Sequence, residues 1–196
     1  MAYATLAELR AELKLGASET NDDTRLTACI TRAQAFIESA ECCNQVFEAS
    51  GDSTRYFPLS AVASDGRTLQ FDYPLADTPT TVTNANGEVI PATAYILKPD
   101  NYRPYHSLKL KSTSGYAWNY SSDPDDRISI AAKWAYSTSA PESIKTATLV
   151  LAKWLYRQKA SNDNTDQPIM AQGGFIIMPS KLPTVFWNLV GAYKRR

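Results

Sequence analysis

The sequence predicts an α+β fold: a helical bundle into which a small antiparallel β-sheet layer is inserted. Three observations carry that expectation. Apolar residues recur at helical spacing towards both ends of the 196-residue chain. Between those ends the pattern changes to a period of two, broken by turn dipeptides. Neither an alternating βα order nor an internal repeat is present, which excludes a doubly wound sheet and a solenoid. The expected organisation is a helical core made of residues 1–50 and 140–196, with residues 51–139 as the β insertion.

The elements follow in order. Thr5-Leu-Ala-Glu8 matches a capping box, and Leu6, Leu9 and Leu13 form one stripe that is expected to stop at Gly16. Asn21-Asp22-Asp23 offers side-chain oxygens to the free N–H groups of a second helix. Its stripe is Leu26, Cys29, Ile30, Ala33, Ile37 and Ala40, and it is expected to run to about Cys43 or Val46. Six or seven short strands come next. Thr54–Phe57 stops at Pro58; Thr68–Tyr73 follows the turn Asp65-Gly66; Asn86-Gly87 separates Val82-Thr83 from Glu88–Ile90. Tyr95–Leu97, Leu108–Lys111 and Arg127–Trp134 complete the set, the last with Ile128, Ile130, Ala132 and Trp134 on one face. Pro141 and Glu142 suit the start of a long helix near 141–160, with Ile144, Ala147, Thr148, Leu151, Trp154 and Leu155 on its apolar side. Ser161–Gln167 is a polar run expected to be a mobile loop, Ile176–Met178 a short strand, and Pro183 the opening of a terminal helix. No helix can bury its stripe alone, so the helices at both ends must share a core.

Composition excludes several functions. Twenty basic and twenty acidic residues cancel, which argues against a general nucleic-acid binder. No apolar run approaches the roughly 18 residues of a membrane span, and residues 1–10 lack the features of a signal peptide, so cytoplasm is the expected compartment. Cys29, Cys42 and Cys43 are odd in number, two of them adjacent, and read as reduced apolar fillers. His106 is the only histidine, which excludes multi-histidine metal sites, and it is expected in a surface turn. Asp123-Pro-Asp125-Asp126 lacks the glycine and distal glutamate of a calcium loop and reads as a solvated turn. No phosphate loop and no catalytic set is visible, so no cofactor is expected.

Charge is unevenly distributed. Residues 1–52 carry a net −5, residues 53–140 zero and residues 141–196 a net +5. Opposite charge at the two ends of a chain suits oriented assembly. The last segment also crowds Phe186, Trp187, Leu189, Val190 and Tyr193 together ahead of Lys194-Arg195-Arg196, and aromatic residues of this kind are enriched at binding hot spots. Eleven tyrosines and four tryptophans support an alternative, a carbohydrate- or receptor-binding module. A hydrolase acting through His106 is a further competing class.

Most of the chain resembles the head–tail connector (adaptor, or head-completion) proteins of long-tailed bacteriophages. The resemblance is carried by Thr5-Leu-Ala-Glu-Leu9; by Asp23-Thr-Arg-Leu26 with Ile30, Ala33 and Ile37-Glu38; and by Thr54-Arg-Tyr-Phe57 leading to Asp65-Gly66. It continues through Leu69-Gln-Phe-Asp-Tyr-Pro-Leu75, Val82-Thr-Asn84, Asn86-Gly87 and Tyr95–Pro104. Ile128-Ser-Ile130, Trp134-Ala-Tyr136, Pro141-Glu-Ser-Ile144 and Trp154-Leu-Tyr-Arg157 close it. Ala131-Ala132 departs from the pattern, which favours glycine near the tryptophan. The resemblance implies a structural virion protein without enzymatic activity, made in the host cytoplasm and located in the neck. It implies a ring, commonly of twelve subunits, docked beneath the portal protein. That ring extends the DNA channel, meets packaged DNA without sequence specificity and presents a surface to further neck or tail proteins. It also implies that the helical part builds the ring and that the C-terminal segment engages the portal, which makes Val185, Phe186, Trp187, Leu189, Val190, Tyr193, Lys194, Arg195 and Arg196 the candidate portal-binding residues. The charged residues Glu8, Glu12, Glu19, Asp22, Asp23, Arg25, Arg32, Lys153 and Arg157 are candidates for subunit contacts or channel lining.

Overall fold

The computed structural model describes residues 2–16, 20–119, 123, 125–160, 169–170, 176–177 and 182–195. The expected mobile loop Ser161–Gln167, Gly173-Gly174 and Met178 lie outside the described residues, as do Glu19 and Arg196. The chain divides into two compact units: residues 45–140, and residues 2–44 together with 141–196.

The second unit holds the helices. α1 (Leu6–Leu13) starts with the expected capping box: Thr5 Oγ1 accepts from Glu8 N–H at 3.2 Å, and Glu8 Oε2 accepts from Thr5 N–H at 2.6 Å. These bonds hold the Glu8 carboxyl below its ordinary range, the Thr5 N–H contributing most and the Thr5 hydroxyl next. The expected stop at Gly16 is corrected. Lys14 takes the left-handed conformation (φ 58°) and its N–H bonds to Ala11 O, so the helix closes two residues earlier on a non-glycine cap. α2 (Asp23–Glu38) is also shorter than its stripe suggested. Ser39 is extended, and its hydroxyl and N–H both bond to Phe36 O, which ends the helix before Cys43. Asp22 stands at the N-cap but makes no capping bond, because its carboxylate accepts from Tyr156 Oη at 2.5 Å instead. α3 (Glu142–Ala160) begins one residue after Pro141. α4 (Thr184–Val190) follows Pro183 and tightens into a 3₁₀ turn at Gly191–Tyr193.

α3 packs on α1, α2 and α4. The buried residues are Leu9 from α1; Leu26, Cys29, Ile30, Ala33 and Ile37 from α2; Ile144, Ala147, Leu151 and Ala152 from α3; and Phe186 and Val190 from α4. Helices from both ends of the sequence therefore share one core, as the stripe argument requires. Thr148 is fully buried on α3 and satisfies its hydroxyl on Ile144 O at 2.8 Å. In the same unit, Ile169–Met170 and Ile176–Ile177 pair as an antiparallel two-stranded ribbon where one strand was expected.

The first unit holds two three-stranded antiparallel sheets. β1 (Ser53–Phe57) and β3 (Thr81–Thr83) flank β6 (Ile128–Ala132), in register Phe57↔Ile128 and Val82↔Ile130. β2 (Thr68–Leu75) and β4 (Tyr95–Lys98) flank β5 (Tyr105–Leu110), in register Leu69↔Leu108 and Tyr95↔Leu110. An isolated bridge between Leu75 and Trp134 ties the end of β2 to the residues after β6. The period-two residues Phe57, Leu69, Val82, Leu108, Leu110, Ile128 and Ile130 are all buried in one core. Trp134 closes that core: its Nε1–H donates to Ser53 O at 2.9 Å, and its ring meets Phe71 edge-on with centroids 5.3 Å apart. Two turn signals form, but the strand expected at Glu88–Ile90 does not: that segment meets β3 only through an isolated bridge between Thr83 and Val89. Asp65 Oδ1 accepts from the N–H of Arg67 and Thr68 around Gly66 (φ 66°), and Gly87 (φ 84°) turns between Asn84 and Glu88. His106, expected in a turn, stands exposed on β5.

Two outcomes follow from these contacts. Glu8→Gln keeps a hydrogen-bonding side chain but removes the charge. Because the folded carboxyl is depressed, its contribution exists above the unfolded value of about 4.3 and is lost as pH falls through the folded value. Thermal melts of wild type and variant therefore differ at pH 7 and converge in acid. Phe186→Ala, at a fully buried position, costs about 3–5 kcal/mol by chemical denaturation; a change under about 1 kcal/mol means α4 is not part of the core.

Candidate assembly surface

α4 is held by aromatic packing. Phe36 of α2 lies 6.0 Å from Phe186 and 6.4 Å from Trp187, centroid to centroid, and the two α4 rings meet at 5.1 Å in an edge-on arrangement. Past the helix, Arg195 N–H donates to Cys43 O at 3.1 Å. The segment thus returns to the residues that follow α2.

This placement separates the candidate portal-binding residues into two groups. Phe186 and Val190 are fully buried and hold α4 on its own unit, so they are core residues and not contact surface. Val185 is 57% exposed. Trp187, Leu189 and Tyr193 are half-buried, and Lys194 and Arg195 are exposed. Lys194 Nζ sits 5.0 Å from the centre of the Trp187 ring, a cation–π contact at the rim of the patch. The outer side of α4 is therefore a mixed aromatic, aliphatic and basic surface.

The second set of candidates is mostly occupied within the subunit. Glu8 is spent in the capping box. Glu12 pairs with Lys153 at 3.1 Å, and Asp23 with Arg10 at 3.1 Å. Arg25 donates to Tyr156 O at 2.9 Å and stacks 4.6 Å over the same ring, whose hydroxyl is bound to Asp22. Arg32 and Arg157 are exposed. This corrects the picture of an acidic end and a basic end. The acidic N-terminal helices and the basic α3–α4 segment belong to one unit, which carries 12 basic and 10 acidic residues.

Among the described residues the chemistry-bearing side chains form no reactive cluster. Cys29, Cys42 and Cys43 are reduced and buried. The Cys42 and Cys43 sulfurs lie 3.7 Å apart; their mutual hydrogen bond lowers the Cys42 thiol pKa and, with burial, raises that of Cys43. Among the described residues no group of three or more His, Cys, Asp or Glu could hold a metal ion, and no helix is long and apolar enough to cross a membrane. Among the described large apolar side chains, Tyr56 and Tyr102 are the most exposed, at 69% each. Trp118 and Trp134 are buried and Trp154 is half-buried, so the tryptophans on which a sugar would stack are largely committed to packing.

Sequence reasoning missed two structural residues. Buried Asn84 accepts from Ala85 N–H and Asn119 N–H and donates to Ala117 O, tying the 84–88 turn to residues 117–119. Tyr73 Oη accepts from Val46 N–H. Their long-range partners give no local signal: Ala117 and Asn119 lie 33 and 35 residues from Asn84, and Val46 lies 27 residues from Tyr73.

No family model matches the chain, and no curated protein matches it. Solved structures do. The fold is similar to a chain from the neck of an empty gene transfer agent particle computed with C6 symmetry, at TM-score 0.58 and 17% identity, over 96% of this chain and 88% of that one. It is similar to the same extent to a chain from the virion of the native gene transfer agent particle. A chain from the native neck computed with C12 symmetry aligns at TM-score 0.53 and 17% identity, over 96% of this chain and 87% of that one. At this identity the likeness is one of fold, and it extends over both units.

Proposed function

We propose that this protein is a structural neck protein of a tailed phage or phage-like particle, a head–tail connector that assembles as a ring beneath the portal. The observation that carries the reading is the similarity of fold over 96% of the chain to chains from gene transfer agent necks. The sequence resemblance to head–tail connectors supports it independently. In this reading the protein acts by position and not by chemistry: copies form a closed ring, commonly of twelve, extend the DNA channel and join the capsid to the neck and tail. The C12 symmetry of one such neck is consistent with that copy number. Balanced charge suits a channel through which DNA slides without being held.

The portal contact falls to the outer side of α4. Val185, Leu189 and Trp187 supply apolar and aromatic anchors, while Lys194 and Arg195 supply rim charge. Burial of Phe186 and Val190 fixes the helix that presents them.

The double variant Val185→Asp/Arg195→Glu tests this without touching the core. Both side chains are exposed, so the melting curve stays within about 0.5 kcal/mol of wild type. Co-purification with portal protein falls about tenfold or more. Capture at wild-type yield would remove α4 from the portal contact.

A further inference from the structure

One end of the β2-β5-β4 sheet gathers positive charge. A surface depression of about 460 Å³ lies there, at the end of β5, lined by Arg67, Ile96, Lys109, Lys111, Ser112 and Thr113 among others. Its cations stand on fixed backbone. Arg67 O accepts from Leu110 N–H at 3.0 Å and from Trp118 Nε1–H at 2.9 Å. Lys111 N–H donates to Ala94 O at 2.9 Å, and Lys111 O accepts from Ser114 N–H at 3.1 Å and from the Ser114 hydroxyl at 2.7 Å. The side chains are anchored in turn. Arg67 Nη1 donates to the same Lys111 O at 2.9 Å, and Lys111 Nζ donates to Thr93 O at 2.7 Å.

These anchors are neutral carbonyls, so they position the two cations without cancelling their charge. Among the described residues neither Arg67 nor Lys111 pairs with a carboxylate. Lys109 alone has an acidic partner, Asp65 at 3.5 Å. The Asp65 carboxylate is already engaged by the Thr68 hydroxyl and by the N–H groups of Arg67 and Thr68. The depression therefore holds three cations against one carboxylate. One nitrogen of the Arg67 fork and one proton of the Lys111 ammonium are spent within the chain, and the remaining donors are not. The exposed hydroxyls of Ser112 and Thr113 stand on the same wall.

We propose that this depression binds a phosphate group, held by Arg67, Lys109 and Lys111 and by the hydroxyls of Ser112 and Thr113. The donor set suits that chemistry. A guanidinium presents parallel N–H groups in a rigid fork, an ammonium acts as a point charge, and a tetrahedral phosphate has enough oxygens to use both together with hydroxyls. A carboxylate has only two oxygens and a single charge, and would leave part of the set unused. Carbonyl anchoring of Arg67 and Lys111 lowers the ordering cost of binding. The depression is open to the surface and larger than one phosphate, so the group can arrive as free phosphate or on a nucleic-acid backbone. The site is read from the β unit alone and does not rest on the neck reading.

The test uses the full chain at low salt and three probes at matched ionic strength: inorganic phosphate, a short DNA duplex and a glutamate-rich peptide. The phosphate-bearing probes are expected to shift the amide NMR signals of Ser112 and Thr113 in wild type. Arg67→Gln and Lys111→Gln each weaken that binding about tenfold. Lys133→Gln, at an exposed lysine that does not line the depression, leaves it within about twofold. Circular dichroism melts check that each variant is folded. A duplex that binds and is weakened by the same two variants brings the phosphate on nucleic acid. Phosphate that binds where the duplex does not makes free phosphate the ligand. Four results overturn the site: no shift at Ser112 and Thr113 with either phosphate-bearing probe, Arg67→Gln and Lys111→Gln that bind like wild type, an equal loss in Lys133→Gln, or a peptide that binds in preference to both. None of these outcomes touches the neck assignment, which the portal experiment tests.

Discussion

The pairing of α2 with α3 is the constraint on which the helical unit depends. α2 lies within the first 40 residues and α3 begins after residue 140, yet the apolar stripe of each packs chiefly on the other. Ile30, Ala33 and Ile37 on one side and Ile144, Ala147 and Leu151 on the other are essentially removed from water. Small residues at Ala33 and Ala147 permit close approach of the two backbones. Burial of this kind outweighs the surface ion pairs of the helical unit. Each large side chain fully buried is worth roughly 1.5–3 kcal/mol, while an exposed pair such as Glu12–Lys153 is worth about 0–1 kcal/mol. Packing sets the arrangement and the ion pairs adjust it.

The same comparison decides the role of α4. A seven-residue helix has no independent stability in water. It persists because Phe186 and Val190 enter the shared core and because Phe36 meets both of its aromatic rings. Truncation at residue 183 would therefore strip the core of its own unit, and loss of partner binding in such a variant would say nothing of the surface. The segment has two unlike faces. Its inner face belongs to the subunit, and its outer face, with Val185 and the basic tail, is exposed.

What the sequence made legible follows the range of the interaction. The capping box at Thr5, the turn at Asp65-Gly66, and the alternation through Ile128 and Ile130 are set within a few residues, and all formed as read; at Asn86-Gly87 the chain turns, but Glu88–Ile90 forms no strand. The misreadings arose where distant partners competed. Asp22 has the chemistry of an N-cap, but the Tyr156 hydroxyl takes its carboxylate. Ala40, Cys42 and Cys43 continue the spacing of α2, but Ser39 turns the chain back on Phe36 O and ends the helix. The portal-binding set mixed core and surface because crowded aromatics in a sequence do not reveal which face is covered. Phe186 and Trp187 are neighbours, yet one is fully buried and the other half-exposed.

Charge shows the same dependence on the fold. The opposed −5 and +5 segments suggested a polar subunit, but residues 2–44 and 141–196 fold into one unit in which Arg10 pairs with Asp23, Lys153 with Glu12 and the Tyr156 hydroxyl donates to Asp22. Electrostatic polarity along a chain is not polarity in space when its ends pack together. Charge left for recognition must lie where the fold does not neutralise it. In the β unit that condition is met at the carbonyl-anchored cations Arg67 and Lys111. A region whose own charges sum to zero can thus still be locally basic, because neutrality over 88 residues says nothing of how those charges are spaced on its surface.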